Sequence, residues 1–132
     1  MPFGTATVVT NVGKGIASKR QLGATPSQLE PKFIGIGVGA TGAARTAAAA
    51  DTALSTEVET RATGTGSNVT TTQTNDTYQT VGTITATATR AVDEAGTFDA
   101  VSAGSMDISA TFAVINLANG DSLQLTVKKQ FT

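Results

Sequence analysis

Apolar and small polar residues alternate with period two through most of the chain after residue 32. Successive side chains of a strand point to opposite faces, so this period specifies strands with one apolar side. Ile34, Ile36 and Val38 alternate with Gly35, Gly37 and Gly39. Glycine on the second face marks a close approach to that backbone. Glu57–Arg61 alternates next, and Val69–Thr74 suits a solvated edge strand. Between them Thr63–Asn68 reads as a flexible turn or tip. Thr77–Thr89 carries Tyr78, Ile84, Ala86 and Ala88 on one face and threonines on the other. β-Branched threonine fits an exposed pleated face. Val81 breaks that alternation just before Gly82, which predicts a bulge. Met106, Ile108, Ala110, Phe112 and Val114 are expected inward, with Asp107, Ser109 and Thr111 outward. Asn119-Gly120-Asp121 then predicts a hairpin to the alternating Leu123, Leu125 and Val127.

Seven or eight such strands, each with one wet face, need a second sheet over the dry one. The expected fold is therefore all-β: a small antiparallel β-sandwich, Greek-key or jelly-roll-like, over residues 33–132. Residues 1–32 are expected to form an extended N-terminal arm. Thr5–Val12 can pair as a strand there, while Pro26 and Pro31 favour extended conformations in the residues before them. Residues 40–56 are ambiguous. Their alanines suit a short helix over 46–54, yet no apolar stripe supports it, and an irregular loop fits equally.

The core is thin. Among 132 residues, 39% are hydrophobic and 5% aromatic. Threonine, alanine and glycine number 25, 21 and 14. A chain this small with so few large side chains gains stability by assembling with copies of itself or with a larger partner.

The sequence has no Cys, His or Trp. This excludes disulfides, zinc sites of the Cys/His kind and any His-activated nucleophile. Asp93-Glu94 is the one adjacent acidic pair after residue 60, and it reads as a solvated turn leading to a short strand with Phe98, since neighbours on a strand face opposite ways. Asp99, Asp107 and Asp121 could offer oxygen ligands to Ca²⁺, but at no recognisable loop spacing. Gly35-x-Gly37-x-Gly39 lacks the following helix of a phosphate loop, and Gly13-Lys14-Gly15 is too short for one. The expectation is no enzyme, with no catalytic, cofactor-binding or metal-binding residues. A carbohydrate- or ion-binding module remains a less favoured alternative, because exposed aromatics for sugar stacking are scarce.

The net charge is −1, which disfavours nucleic-acid and membrane-surface partners. No stretch approaches the roughly 20 apolar residues of a membrane span, and no signal peptide is recognisable at Met1–Gly4. The glycosylation-type triplets at Asn68 and Asn75 read as chance in a Thr-rich chain. Charge is unevenly placed: residues 1–50 carry +4, residues 51–121 carry −7, and the last eleven carry +2 through Lys128 and Lys129. A basic segment on an acidic body can dock on an acidic surface.

Three stretches carry a resemblance. One is Pro31-Lys32-Phe33-Ile34-Gly35-Ile36-Gly37 with Ala48-Ala49-Ala50-Asp51-Thr52-Ala53-Leu54. The second is Asn75-Asp76-Thr77-Tyr78-Gln79-Thr80-Val81-Gly82-Thr83-Ile84. The third is Glu94-Ala95-Gly96-Thr97-Phe98-Asp99-Ala100 with Ile115-Asn116-Leu117-Ala118-Asn119-Gly120-Asp121-Ser122-Leu123. Together they span about residues 31–127 and resemble small virion proteins of tailed bacteriophages. Thr97 stands where that pattern usually has Leu. The resemblance implies a structural role as a capsid decoration (cement) protein on the outside of the head, made in the host bacterial cytoplasm. Its implied partners are the major capsid protein and copies of itself, as a homotrimer or homodimer, with neither nucleic acid nor membrane. A tail, collar or fibre component is the alternative.

Overall fold

The computed structural model describes residues 6–25, 27–40 and 45–132. Expectations resting on Met1–Thr5, on Pro26 and on residues 41–44 lie outside them.

The fold is a two-sheet antiparallel β-sandwich. Its elements are β1 (Ala6–Val9), α1 (Asn11–Gln21), β2 (Phe33–Gly37), β3 (Glu57–Thr63), β4 (Thr65–Val69), β5 (Thr77–Thr85), β6 (Arg90–Phe98), β7 (Met106–Leu117) and β8 (Ser122–Gln130). The larger sheet runs β1-β7-β6-β2-β3 and the smaller β4-β5-β8. Ile34, Ile36, Ile84, Ala86, Val92, Ala95 and Leu117 form the core between them. Ile34, Ile36 and Val92 are wholly buried.

The expected arm takes a different form over its described part. β1 pairs with β7 at the sheet edge, and residues 11–21 are helical, not extended. Thr10 explains this locally. Its side chain accepts a hydrogen bond from the Gly13 amide and caps the helix. Its own amide donates to Asp107 O at 2.8 Å. Ile16 buries the inward side of the helix. Gly23, at φ +79°, reverses the chain after Lys19 and Arg20 in the last turn.

The chain changes sheets at three corners, and these account for most of the differences from expectation. The first corner is Gly64. A Cβ there would lie 2.6 Å from Thr80 Cγ2 and 2.8 Å from Lys32 O. Residues 63–68 are thus no loose tip: they hold the corner and most of β4. The second corner joins β5 to β6. The third is the turn Ala118–Asp121, with Gly120 at φ +92°. Its turn chemistry is as expected, but β7 and β8 enter different sheets, so it closes a corner and not a hairpin.

β5 pairs with β8 in unbroken register from Thr77 to Thr85, so no bulge occurs at Gly82. Gly82 faces inward, where a Cβ would touch Ile34 Cδ1 at 3.0 Å. A bulge lies instead between β6 and β7. Phe112–Val114 stand opposite Asp93 alone, between the pairs Val92↔Ile115 and Glu94↔Thr111. There Val114 is 48% exposed, against the inward placement that alternation predicts. Described residues 45–56 form no helix or strand.

Candidate docking surface

The acidic pair singled out in the sequence is not a solvated turn. Asp93 and Glu94 lie within β6, and both are buried. β6 is central in its sheet, and residues 45–56 cross the sheet's outer face, so both faces of the strand are covered. Charge placed there must be matched by hydrogen bonds. Glu94 Oε1 accepts from the amides of Ser55 (2.6 Å) and Thr56 (3.2 Å). Glu94 Oε2 accepts from Arg45 at 3.1 Å. Arg45 also meets Asp51 at 2.7 Å. Asp51 in turn accepts from Ser109 Oγ and the Ala48 amide. Burial works against its charge, but these bonds and Arg45 outweigh it and hold the carboxyl below the usual range. Asp93 accepts from the Ala40 amide. The pair acts as a clamp that fastens Ala40, Arg45, Ser55 and Thr56 to the sheet.

This clamp explains the glycine alternation. Gly37 pairs with Glu94, and a Cβ on Gly37 would meet Glu94 Cγ at 2.8 Å. A Cβ on Gly35 would lie 3.3 Å from the Phe98 ring. Close packing, not a phosphate loop, accounts for both glycines. Arg61 lies 3.4 Å above the Phe98 ring centroid, pairs with Glu57, and donates to Ala100 O and Ala103 O.

Asp99, Asp107 and Asp121 are each engaged separately. Asp99 accepts from the Ser105 amide, Asp121 from the Ala118 amide, and Asp107 from Lys129. Among the described residues no three acidic side chains gather as a metal cluster. Gly13, Lys14 and Gly15 lie in the first turns of α1.

The surface with a distinct character lies where α1 meets the end of β8. A cavity of about 220 Å³ opens there, lined by Ile16, Ala17, Arg20, Pro31, Tyr78 and Phe131 among others. Lys129 and Asp107 form a buried ion pair beside it. Tyr78 donates to Glu30 Oε1 at 3.2 Å. Burial, with the Glu30 carboxylate beside it, pushes the Tyr78 phenol up to about 12. Phe131 is half exposed. Leu22, at the end of α1, and Leu29, beside Glu30, are 84% and 68% exposed. Lys14, Lys19, Arg20 and Lys128 are exposed on α1 and β8. Exposed apolar side chains beside the basic residues of α1, with Glu30 also lining the cavity, suit a docking contact. The uneven charge pointed to this region, but its helix and its cavity were not legible.

No family model matches the chain, and neither does any curated protein or solved structure.

Proposed function

We propose that this chain is a structural virion protein of a tailed bacteriophage, a decoration protein that binds the outside of the head and stabilises contacts between major capsid subunits. The observation that carries this reading is the division of labour among its side chains. The buried carboxylates Asp93, Glu94 and Asp107 are tied into internal clamps. Of the exposed large apolar groups, Leu22, Leu29 and Phe131 stand on the segments that carry Lys14, Lys19, Arg20 and Lys128, while Val101, Val114 and Ile115 lie elsewhere. A stable body with an apolar, basic contact face can hold neighbouring subunits together without doing chemistry on them. The resemblance of residues 31–127 to phage virion proteins supplies the particle.

The test is the copy number of this chain in purified particles, by quantitative mass spectrometry against the major capsid protein. A ratio near one, or a simple fraction of one, supports the decoration role. A handful of copies transfers the chain to the tail or collar, and absence removes the virion reading. Phe131→Ala is expected to weaken binding to undecorated heads about tenfold, as loss of one interface anchor does, with the melting temperature unchanged.

A further inference from the structure

A sheet edge presents unpaired backbone groups, and proteins blunt such edges with short strands, charges, proline or bulges. Three of the four edges in this sandwich are blunted. Among the described residues β1 has four and β4 has five. β3 carries Glu57, Glu59 and Arg61, its register with β2 shifts, and Glu59 sits at φ +63°.

β8 differs from all three. It is nine residues long, contains no Pro or Gly, and pairs with β5 without a register shift. The Phe131 amide donates to Asp76 O, and Asp121 O accepts from the Ala86 amide. Residues of an antiparallel strand bond to alternate sides. Odd-numbered residues of β8 therefore bond toward β5, and Ser122, Gln124, Thr126, Lys128 and Gln130 direct their N–H and C=O to the open edge. None of these five makes a backbone hydrogen bond beyond the β5 ladder among the described residues. All five are exposed.

We infer that β8 pairs antiparallel with β8 of a second copy, joining two three-stranded sheets into one six-stranded sheet. The charge order of the strand favours a copy of itself. Asp121 precedes β8, Lys128 lies near its end, and residues 122–127 are uncharged. An antiparallel register centred on Leu125 sets Gln124 opposite Thr126 and Lys128 opposite Ser122, one residue from Asp121. Each end then sets Asp121 opposite Lys129 on one face and Lys128 opposite the neutral Ser122 on the other, so no two like charges face each other. This deepens the assembly reading by naming the self-contact, and it is tested without any particle.

The experiment is sedimentation velocity on the full chain across micromolar to millimolar concentrations, with hydrogen exchange of the β8 amides. Two variants are compared. Thr126→Pro removes an outward N–H and no β5 ladder bond. The double variant Gln124→Lys/Thr126→Lys sets like charges opposite each other, and it serves should the proline variant misfold. A dimer whose Gln124 and Thr126 amides are protected, with its dissociation constant raised at least about tenfold in either folded variant, supports the inference. A wild-type chain that stays monomeric, forms a trimer, or dimerises equally well in both variants overturns it. The same proteins are then offered to undecorated heads. A wild-type chain that is monomeric and still binds overturns the self-pairing and leaves the decoration role standing. A dimer that binds no head does the reverse.

Discussion

Lys129 Nζ lies 2.8 Å from each carboxylate oxygen of Asp107, and the two residues come from different sheets, β8 and β7. Their side chains are 9% and 1% exposed. The pair fastens the sheets together at the end remote from the aliphatic core. Removing one partner of a buried pair strands the other charge, at about 3–5 kcal/mol. Lys129→Met and Asp107→Leu should each destabilise the fold by about that much in urea unfolding. The double variant should be more stable than either single one. A strictly additive double variant would show that the two groups do not act together.

Gly13 and Gly15 lie two residues apart in α1 and should respond oppositely to alanine. Helix propensity alone favours alanine by about 1 kcal/mol at each. At Gly15 a Cβ meets nothing within 4 Å, so Gly15→Ala should gain about that amount. At Gly13 a Cβ would fall onto Asp107 Oδ1 and within 2.6 Å of Asp107 O. The backbone carbonyl cannot yield cheaply, so Gly13→Ala should lose about 2 kcal/mol, as overpacking does, and push the helix off β7. Thermal unfolding of the two variants reads the difference in sign.

Tyr78 is the only tyrosine, and the chain has no tryptophan, so phenolate absorbance reports this group alone. Its ionisation midpoint in the folded protein should lie near 12, not near the ordinary 10. The folded state holds this proton more tightly than the unfolded state does. The resulting stability is complete below pH 10 and is lost as pH rises from 10 toward 12. Unfolding midpoints in urea should fall across that window. Tyr78→Phe should remove this component of the fall.

Thr97 is 2% exposed, and its hydroxyl has no hydrogen-bond partner among the described residues. An orphaned buried hydroxyl costs about 1–3 kcal/mol. Thr97→Val keeps the branched shape and deletes the polar atom, so it should raise stability by about 1 kcal/mol in urea unfolding. A loss of stability would mean that the hydroxyl is satisfied in solution.

Local alternation was legible wherever a strand keeps one wet face. β5 and β8 follow it, and the Asn119–Asp121 turn stands where its residues place it. β6 was not legible, because burial on both faces erases the alternation and Asp93-Glu94 imitates a turn. Its charges are met by the amides of Ala40, Ser55 and Thr56 and by Arg45, which no local pattern announces. The helix was hidden for a different reason. Gly13 and Gly15 depress its propensity, and Ile16 is its one buried large side chain. Its signals were the cap at Thr10, the basic last turn and Gly23 beyond it. The sheet corners were hidden because a tight turn has the same chemistry whether the next strand folds back or crosses over.

The third corner has a consequence for the order of events on the ribosome. β5 is synthesised before β6 and β7, yet its partner β8 follows both. Until β8 emerges, one side of β5 lacks its partner, and the core face holding Ile84 lacks the cover of Leu123 and Leu125. The larger sheet can pair β2, β3, β6 and β7 in that interval, but the smaller one cannot close. Non-local pairing of this kind folds slowly and exposes sticky intermediates. Synthesis that stalls just after β7 should therefore yield aggregation-prone chains, and rapid release of β8 should be the step that makes the nascent protein soluble.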